Sequence, residues 1–174
     1  MKKILLILLL IATVANAQEN KPKDVFDTAR YGSVDEMKAL EAKNSDTINA
    51  INKMEFSPLI LACYKGNTEV AAYLAKRIKN VNYNSSSGTA LAASVVKGNL
   101  ALAKLLLENK ADPNLADSGG MTPLLYAIQF KNVDLIKLLL SYKANKNQAD
   151  LSGKMPFEYA VFTKNQEIIN LLKN

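Results

Sequence analysis

The stretch from Ser118 to Asn147 reads SGGMTPLLYAIQFKNVDLIKLLLSYKANKN and contains two apolar runs separated by a short polar segment. Thr122 is a suitable N-cap because its hydroxyl can accept an unpaired backbone N–H, and the proline that follows suits the first helical position. Apolar residues recur at helical spacing on both sides of Lys131. The stretch therefore predicts two short helices joined by a turn, the second over about Val133 to Tyr142.

The same pattern occurs several times along the chain. Its opening tripeptide recurs at steps of 32, 33 and 33 residues, at Ser57-Pro58-Leu59, Thr89-Ala90-Leu91, Thr122-Pro123-Leu124 and Met155-Pro156-Phe157. A helix of about ten residues is marginal in water and cannot bury its own apolar face. A period near 33 therefore indicates a stacked array, in which neighbours supply the missing surface and each buried Leu or Ile contributes roughly 1.5–3 kcal/mol.

Two kinds of segment carry a resemblance to a known family. Asp117-x-x-Gly120-x-Thr122-Pro123-Leu124 matches the opening of the family's pattern, and Lys110-Ala111-Asp112-Pro113-Asn114 matches its tail. In these segments the units resemble ankyrin repeats. The resemblance implies an all-α ankyrin-repeat solenoid of stacked helix-turn-helix units. About five repeats are expected, including degenerate caps, at residues 24–54, 55–86, 87–119, 120–152 and 153–174.

The repeats depart from the family's pattern in three ways. The chain has no histidine, and the position of the family's histidine is filled in order by Ile60, Ala92, Leu125 and Glu158. Lys110 and Lys143 stand where a glycine usually takes the left-handed conformation, at a cost on the order of 1 kcal/mol each. Met155 lacks the capping hydroxyl of Thr122, which costs typically ~1 kcal/mol. We expect an array that is less stable than the family consensus but has the same fold.

Residues 1–17 have the pattern of a secretory signal peptide. Two lysines precede an apolar run of 11 residues from Ile4 to Val14, broken only by a threonine, and small residues predict cleavage between Ala17 and Gln18. The run is shorter than the roughly 20 residues of a spanning helix, so no stable membrane insertion is expected after cleavage. Residues 18–23 would form a short linker, and the compact signal favours a bacterial periplasm.

The composition argues against several classes of function. The formal net charge is +6, or +4 without residues 1–17, and the lysines are spread along the chain. Nucleic acid is therefore not expected as a partner. With no histidine and one cysteine, the sequence lacks the Ser-His-Asp and Cys-His arrangements and a zinc ligand set. It predicts no catalytic residues, no metal and no cofactor.

A different class of function would depend on a cysteine and two pairs of carboxylates. Cys63 stands where the repeat needs a small core residue, and it is interpreted as a packing residue rather than a reactive thiol. The pairs Asp24/Asp27 and Asp35-Glu36 are interpreted as a solvated face of a capping repeat. The alternative is a small-molecule or cofactor carrier, or an enzyme that uses these carboxylates and this thiol.

The leading prediction is a non-catalytic protein–protein interaction module. The resemblance implies a concave binding face built from the turn tips and the exposed edges of the first helices. Large apolar groups at such positions are typical of contact sites, and aromatic residues of binding hot spots. The alternative for the rings is that some pack onto neighbouring repeats. The predicted partner-binding residues are Met54, Phe56, Tyr64, Lys65, Val96, Lys97, Met121, Gln129, Phe130, Leu151 and Phe162.

The identity of the protein partner does not follow from the sequence. An envelope scaffold, an immunity or inhibitor protein for an exported toxin, and an accessory to a periplasmic stress enzyme such as a catalase all fit a periplasmic binding module. The chain is expected to be a monomer.

Overall fold

The structure is a computed structural model that describes residues 23–173. The predicted signal peptide and residues 18–22 of the predicted linker lie outside the described residues. Within residues 23–173 there is no β-strand, and the regular structure consists of one short 3-10 turn over Thr47–Asn49 and ten α-helices. The helices are α1 (Val25–Tyr31), α2 (Val34–Lys43), α3 (Pro58–Lys65), α4 (Thr68–Ala75), α5 (Ala90–Val96), α6 (Leu100–Glu108), α7 (Pro123–Gln129), α8 (Val133–Ser141), α9 (Pro156–Thr163) and α10 (Gln166–Leu172).

The helices form five pairs that stack in chain order. The first helices α1, α3, α5, α7 and α9 pack one against the next, and the second helices α2, α4, α6, α8 and α10 form a second layer in the same way. Buried side chains from all five pairs join in one hydrophobic core. The predicted all-α solenoid is confirmed, because each pair contacts its neighbours rather than folding into a compact globule.

Three of the first helices begin at a hydroxyl N-cap. The side chains of Ser57, Thr89 and Thr122 each accept the backbone N–H three residues later at 3.2 Å. Met155 makes no such bond, as expected from its thioether. Glu158 compensates in part, because its carboxylate accepts the backbone N–H of Met155 at 2.7 Å.

Left-handed backbone is needed where the helices end. Lys110 has a φ of 69° and Lys143 a φ of 65°, which confirms the strained positions expected from the family's missing glycines. Lys131 and Lys164 adopt the same conformation after the first helices α7 and α9. Lys131 and Lys164 therefore add two strained backbone positions to the two that the repeat pattern predicts.

Neighbouring turn tips are in close backbone contact. The Leu151 N–H donates to the Gly119 carbonyl at 3.3 Å. Gly120, at φ 79°, lies so close to the next tip that a Cβ would meet the Leu151 nitrogen at 2.5 Å. The glycine is therefore required for packing between two repeats as well as for its own turn.

In this chain, which has no histidine, asparagine side chains form hydrogen bonds between neighbouring repeats. The Asn82 side chain accepts the Asp112 N–H at 2.8 Å. One repeat later, the Asn114 side chain accepts the Asn145 N–H at 2.7 Å. Because such bonds satisfy backbone donors across repeat boundaries, they set how each repeat lies on the next.

The last described repeat leaves part of its stacking face open. Leu124 on α7 is 1% exposed because α9 covers it, whereas Phe157, at the same register on α9, is 40% exposed. Val161 is also exposed, while its counterpart Ile128 is fully buried. The polar residues of α10 fit the solvated cap expected there, but α9 presents apolar side chains instead. In the described part of the chain, the fifth repeat is therefore only partly capped.

This difference in cover gives a matched pair of stability measurements. Leu124→Ala should lower the free energy of unfolding by about 2–5 kcal/mol, because it leaves a cavity between two repeats. Phe157→Ala should cost clearly less, although its side chain is larger, because one flank has no protein neighbour among the described residues. Urea unfolding followed by circular dichroism measures both. Equal losses would show that Phe157 is covered in solution.

Candidate protein-binding surface

A groove crosses the face formed by the first helices and the turn tips. It has a volume of about 630 Å³ and spans α1, α3, α5 and α7. We call it the central groove. Its lining residues are Arg30, Met54, Phe56, Ile60, Leu61, Tyr64, Lys65, Ser86, Ser87, Ala92, Ala93, Val96, Asp117, Tyr126 and Phe130.

Small residues in the middle repeat create the groove. Ala92 and Ala93 on α5 are buried and line the floor. The preceding repeat has Ile60 and Leu61 at the same two register positions, and the following repeat has a leucine and Tyr126. At these two positions the neighbouring repeats have larger side chains than the methyl groups of Ala92 and Ala93. The surface is therefore depressed at α5.

Large apolar side chains border this depression. Tyr64 on α3 and Phe130 just after α7 are both exposed, Phe130 by 54%. Met54 is exposed on the turn tip that precedes α3. An apolar floor between exposed aromatic walls is typical of a protein contact site.

The expectation that Phe56 is exposed is wrong. Its side chain is partly buried against the hydrophobic core, and its backbone N–H donates to the Asn52 side chain at 2.9 Å. Phe56 still lines the groove, but as part of its wall. Met121, also expected at the surface, is half-buried, and its sulfur lies 3.6 Å from the hydroxyl of Tyr159. These two side chains thus follow the alternative of packing onto the protein itself.

Two lysines are held against aromatic rings at the helix-edge side of the groove. The Lys97 ammonium lies 4.7 Å from the centre of the Tyr64 ring, and the Lys65 ammonium lies 5.6 Å from that of Tyr31. Both rings belong to the preceding repeat, so each contact crosses a repeat boundary. Such contacts attract the ammonium groups to the rings without neutralising their charge.

The turn-tip side of the groove carries a carboxylate that is fully engaged. One oxygen of Asp117 accepts the N–H groups of Gly119 and Met121 at 2.8 and 3.0 Å. The other accepts the Tyr126 hydroxyl at 2.5 Å. Burial and this hydrogen bond raise the pKa of Tyr126 to about 12. Asp117 therefore closes its own turn, and Asp150 pairs with Tyr159 in the same way at 2.6 Å.

The structure brings together six of the eleven predicted binding residues. Five of the eleven lie outside the central groove: Lys97, Met121, Gln129, Leu151 and Phe162. Leu151 and Phe162 are 77% and 74% exposed, and Lys154 lies 4.1 Å from the Phe162 ring centre. Both lie outside the central groove in the last two repeats, and we call these two exposed side chains the C-terminal apolar group. The predicted partner-binding residues therefore do not all share one groove.

Residues 25–117 and 91–174 match a family described as ankyrin repeats in three copies. The chain belongs to the ankyrin-repeat family. Its relatives include an ankyrin repeat protein of fowlpox virus, 36% identical over 109 residues, which is 61% of this chain and 25% of the viral protein. The fem-1 homolog A-like protein of Mus musculus is 37% identical over 89 residues, which is 51% of this chain and 14% of the mouse protein. This ankyrin-repeat protein thus spans a quarter or less of these relatives' own length.

Ankyrin-repeat proteins are typically non-enzymatic interaction modules, and candidate reactive groups in this one have structural roles. Cys63 is fully buried, and burial raises the pKa of its thiol above the ordinary value, which disfavours the reactive thiolate. Asp24 caps α1, and Glu36 accepts the Ser33 N–H at 2.7 Å. Within residues 23–173 no group of His, Cys, Asp and Glu could hold a metal ion. None of the described helices has the length and apolarity to span a bilayer.

The Tyr126–Asp117 contact predicts a pH dependence of stability. Because the pKa of Tyr126 in the folded chain lies above its unfolded value of about 10, its contribution to stability is present below about pH 10. The contribution is lost as the pH rises toward 12. Absorbance of tyrosinate should show Tyr126 and Tyr159 ionising near pH 12. Tyr73 should also ionise later than an ordinary tyrosine, because burial and Glu41 raise its pKa.

Two substitutions check that assignment. Tyr126→Phe should remove one of the two ionisations near pH 12 and leave that of Tyr159. Asp117→Asn should lower the pKa of Tyr126, because the anionic acceptor is gone while the burial remains. Ionisation of all tyrosines as one group near pH 10 would contradict the prediction.

Proposed function

We propose that this ankyrin-repeat protein is a non-catalytic binding module that grips a protein partner in the central groove. Ankyrin repeats generally mediate protein–protein interaction, and the shape of the surface supports the same role here. The observation that carries the proposal is the depression at Ala92 and Ala93, which lies between the exposed rings of Tyr64 and Phe130.

The groove is suited to binding because it is formed before the partner arrives. Its floor consists of buried residues on packed helices, so binding orders little of the backbone. Tyr64 is held in place by Lys97, which further reduces the number of rotamers that binding must fix. Apolar surface buried in such a site therefore contributes to affinity with a small entropic cost.

We further propose that the protein works in a bacterial periplasm. This part of the proposal is supported by the pattern of residues 1–17, in which two lysines, a short apolar run and small residues precede Gln18. Within that setting the module would serve as an immunity or inhibitor protein for an exported toxin, or as an accessory to a stress enzyme such as a catalase. Either role requires a preformed surface for one protein, and the chain is expected to act as a monomer.

Export leads to a defined change in mass and N-terminus. Expressed in a bacterial host, the chain should be recovered from the periplasmic fraction with Gln18 as its first residue. N-terminal sequencing and intact mass measure this. Changing Ala17 to a bulky residue should block cleavage, because signal peptidase requires a small side chain there. Recovery of the uncut chain in the cytoplasm would argue against the periplasmic proposal and would leave the binding proposal untouched.

Phe130 provides the test of the binding surface. A photo-crosslinking amino acid at position 64, in the source organism, should yield an adduct with a partner that mass spectrometry identifies. Phe130→Ala should abolish or greatly weaken that adduct, because loss of an aromatic hot spot costs about 2 kcal/mol or more, roughly 30-fold in affinity. Circular dichroism should show an unchanged fold, since the Phe130 side chain is largely exposed.

Phe162→Ala is the matched control. It removes an equally large ring from the C-terminal apolar group, outside the central groove. An adduct that survives Phe162→Ala but not Phe130→Ala assigns binding to the groove. An adduct lost only with Phe162→Ala would place the contact in the C-terminal group and overturn the assignment of the central groove.

A further inference from the structure

The helix-edge side of the central groove carries a row of positive charge. Lys65 ends α3 and Lys97 follows the last residue of α5, at equivalent positions in adjacent repeats. Arg30, on α1, lines the groove one repeat earlier. Each lysine lies over a tyrosine of the preceding repeat, so the ammonium groups share one direction along the array.

The charges of the two lysines are not neutralised within the described chain. Among residues 23–173, no carboxylate oxygen lies within 4.0 Å of the ammonium of Lys65 or Lys97. Arg30 differs, because its guanidinium contacts Asp27 at 3.1 Å. The two lysines therefore present their full charge beside an apolar groove.

The acidic groups on the opposite side of the groove are already engaged. Asp117 accepts two backbone N–H groups and the Tyr126 hydroxyl. Glu55, on the turn tip before α3, accepts the Ser86 N–H at 3.4 Å. The groove therefore has two lysines without an ion-pair partner in the described chain along one edge and hydrogen-bonded carboxylates, Asp117 and Glu55, along the other. A segment with carboxylates on one side would complement this polarity.

The stacking distance sets the spacing of those carboxylates. Packed helices such as α3 and α5 lie about 8–10 Å apart, and Lys65 and Lys97 hold equivalent places on them. A segment in the polyproline II conformation rises about 3.1 Å per residue with three residues per turn, so side chains three residues apart lie on the same side, about 9 Å from each other. Two carboxylates three residues apart on such an extended segment would therefore reach both lysines. The depression at Ala92 and Ala93 would take a large apolar side chain from the same segment.

We propose that the central groove binds an extended acidic segment of a protein partner, with two carboxylates about three residues apart beside a large apolar side chain. This inference rests on the proposed function and specifies the chemistry of the partner. A nucleic acid fits less well, because its affinity comes from many phosphate contacts, whereas among the described residues only Lys65 in the lining and Lys97 beside it, over the ring of Tyr64, supply unpaired cations, and the floor is apolar.

The test is selection from a random twelve-residue peptide library displayed on phage, with the purified full chain as the target. Enriched peptides should carry two Asp or Glu residues about three positions apart around a Leu, Ile, Phe or Met. The best peptide, synthesised with a fluorophore, should bind the unaltered chain. It should lose at least about tenfold in affinity for the double variant Lys65→Glu/Lys97→Glu, because opposite charges in contact become like charges.

Lys43→Glu/Lys76→Glu is the matched control. These two lysines terminate α2 and α4, on the layer of second helices, and carry the same change in net charge without touching the groove. The peptide should bind this control within about twofold of the unaltered chain. Equal losses with both double variants would mean that only overall charge matters, and the proposal would fail.

The remaining outcomes separate this inference from the proposed function. Peptides that are lost on Phe130→Ala but show no acidic pattern would overturn the acidic segment and leave the binding groove in place. Peptides that bind equally to the Phe130→Ala chain would count against both. Displacement of the peptide by single-stranded oligothymidine at similar concentration would favour a nucleic acid and overturn the assignment to a protein segment.

Discussion

Stacking of one two-helix unit on the next is the interaction on which the rest of the structure depends. Each helix here has seven to ten residues, too few to be stable alone in water. Leu124 shows what a neighbour supplies, because α9 removes its side chain from solvent, whereas Phe157 at the same register has no such cover among the described residues. The asparagine bonds across repeat boundaries and the close approach at Gly120 then fix how the units lie on one another.

The same stacking produces the binding surface. Equivalent register positions lie side by side in adjacent repeats, so a local change in side-chain volume becomes a change in surface shape. Ala92 and Ala93 form a depression only because larger residues hold the same positions on both sides. Lys65 and Lys97 form a row for the same reason. The shape of the proposed binding surface therefore depends on differences between repeats, and its row of lysines on a position that two repeats share.

The candidate reactive groups of this repeat array have structural roles. Cys63 fills a core position, and burial keeps its thiol protonated. Asp117 and Asp150 satisfy the backbone of two turns and hold a tyrosine hydroxyl each. A residue that recurs at the repeat period is explained first by the architecture. The positions that break the period, such as Ala92 and Phe130, are the ones that distinguish this protein's surface.

By itself, the sequence determined the fold class, the hydroxyl caps, the left-handed lysines and the packing role of Cys63, because each depends on the local chain or on a fixed repeat register. The tertiary structure alone decided which candidate residues share one groove, that Phe56 and Met121 turn inward, and that Ala92 and Ala93 form its floor. The reason is physical: a cavity depends on the relative volumes and rotamers of side chains on three neighbouring repeats. A period identifies equivalent positions, but only packing shows which side chains are covered and which remain free to bind.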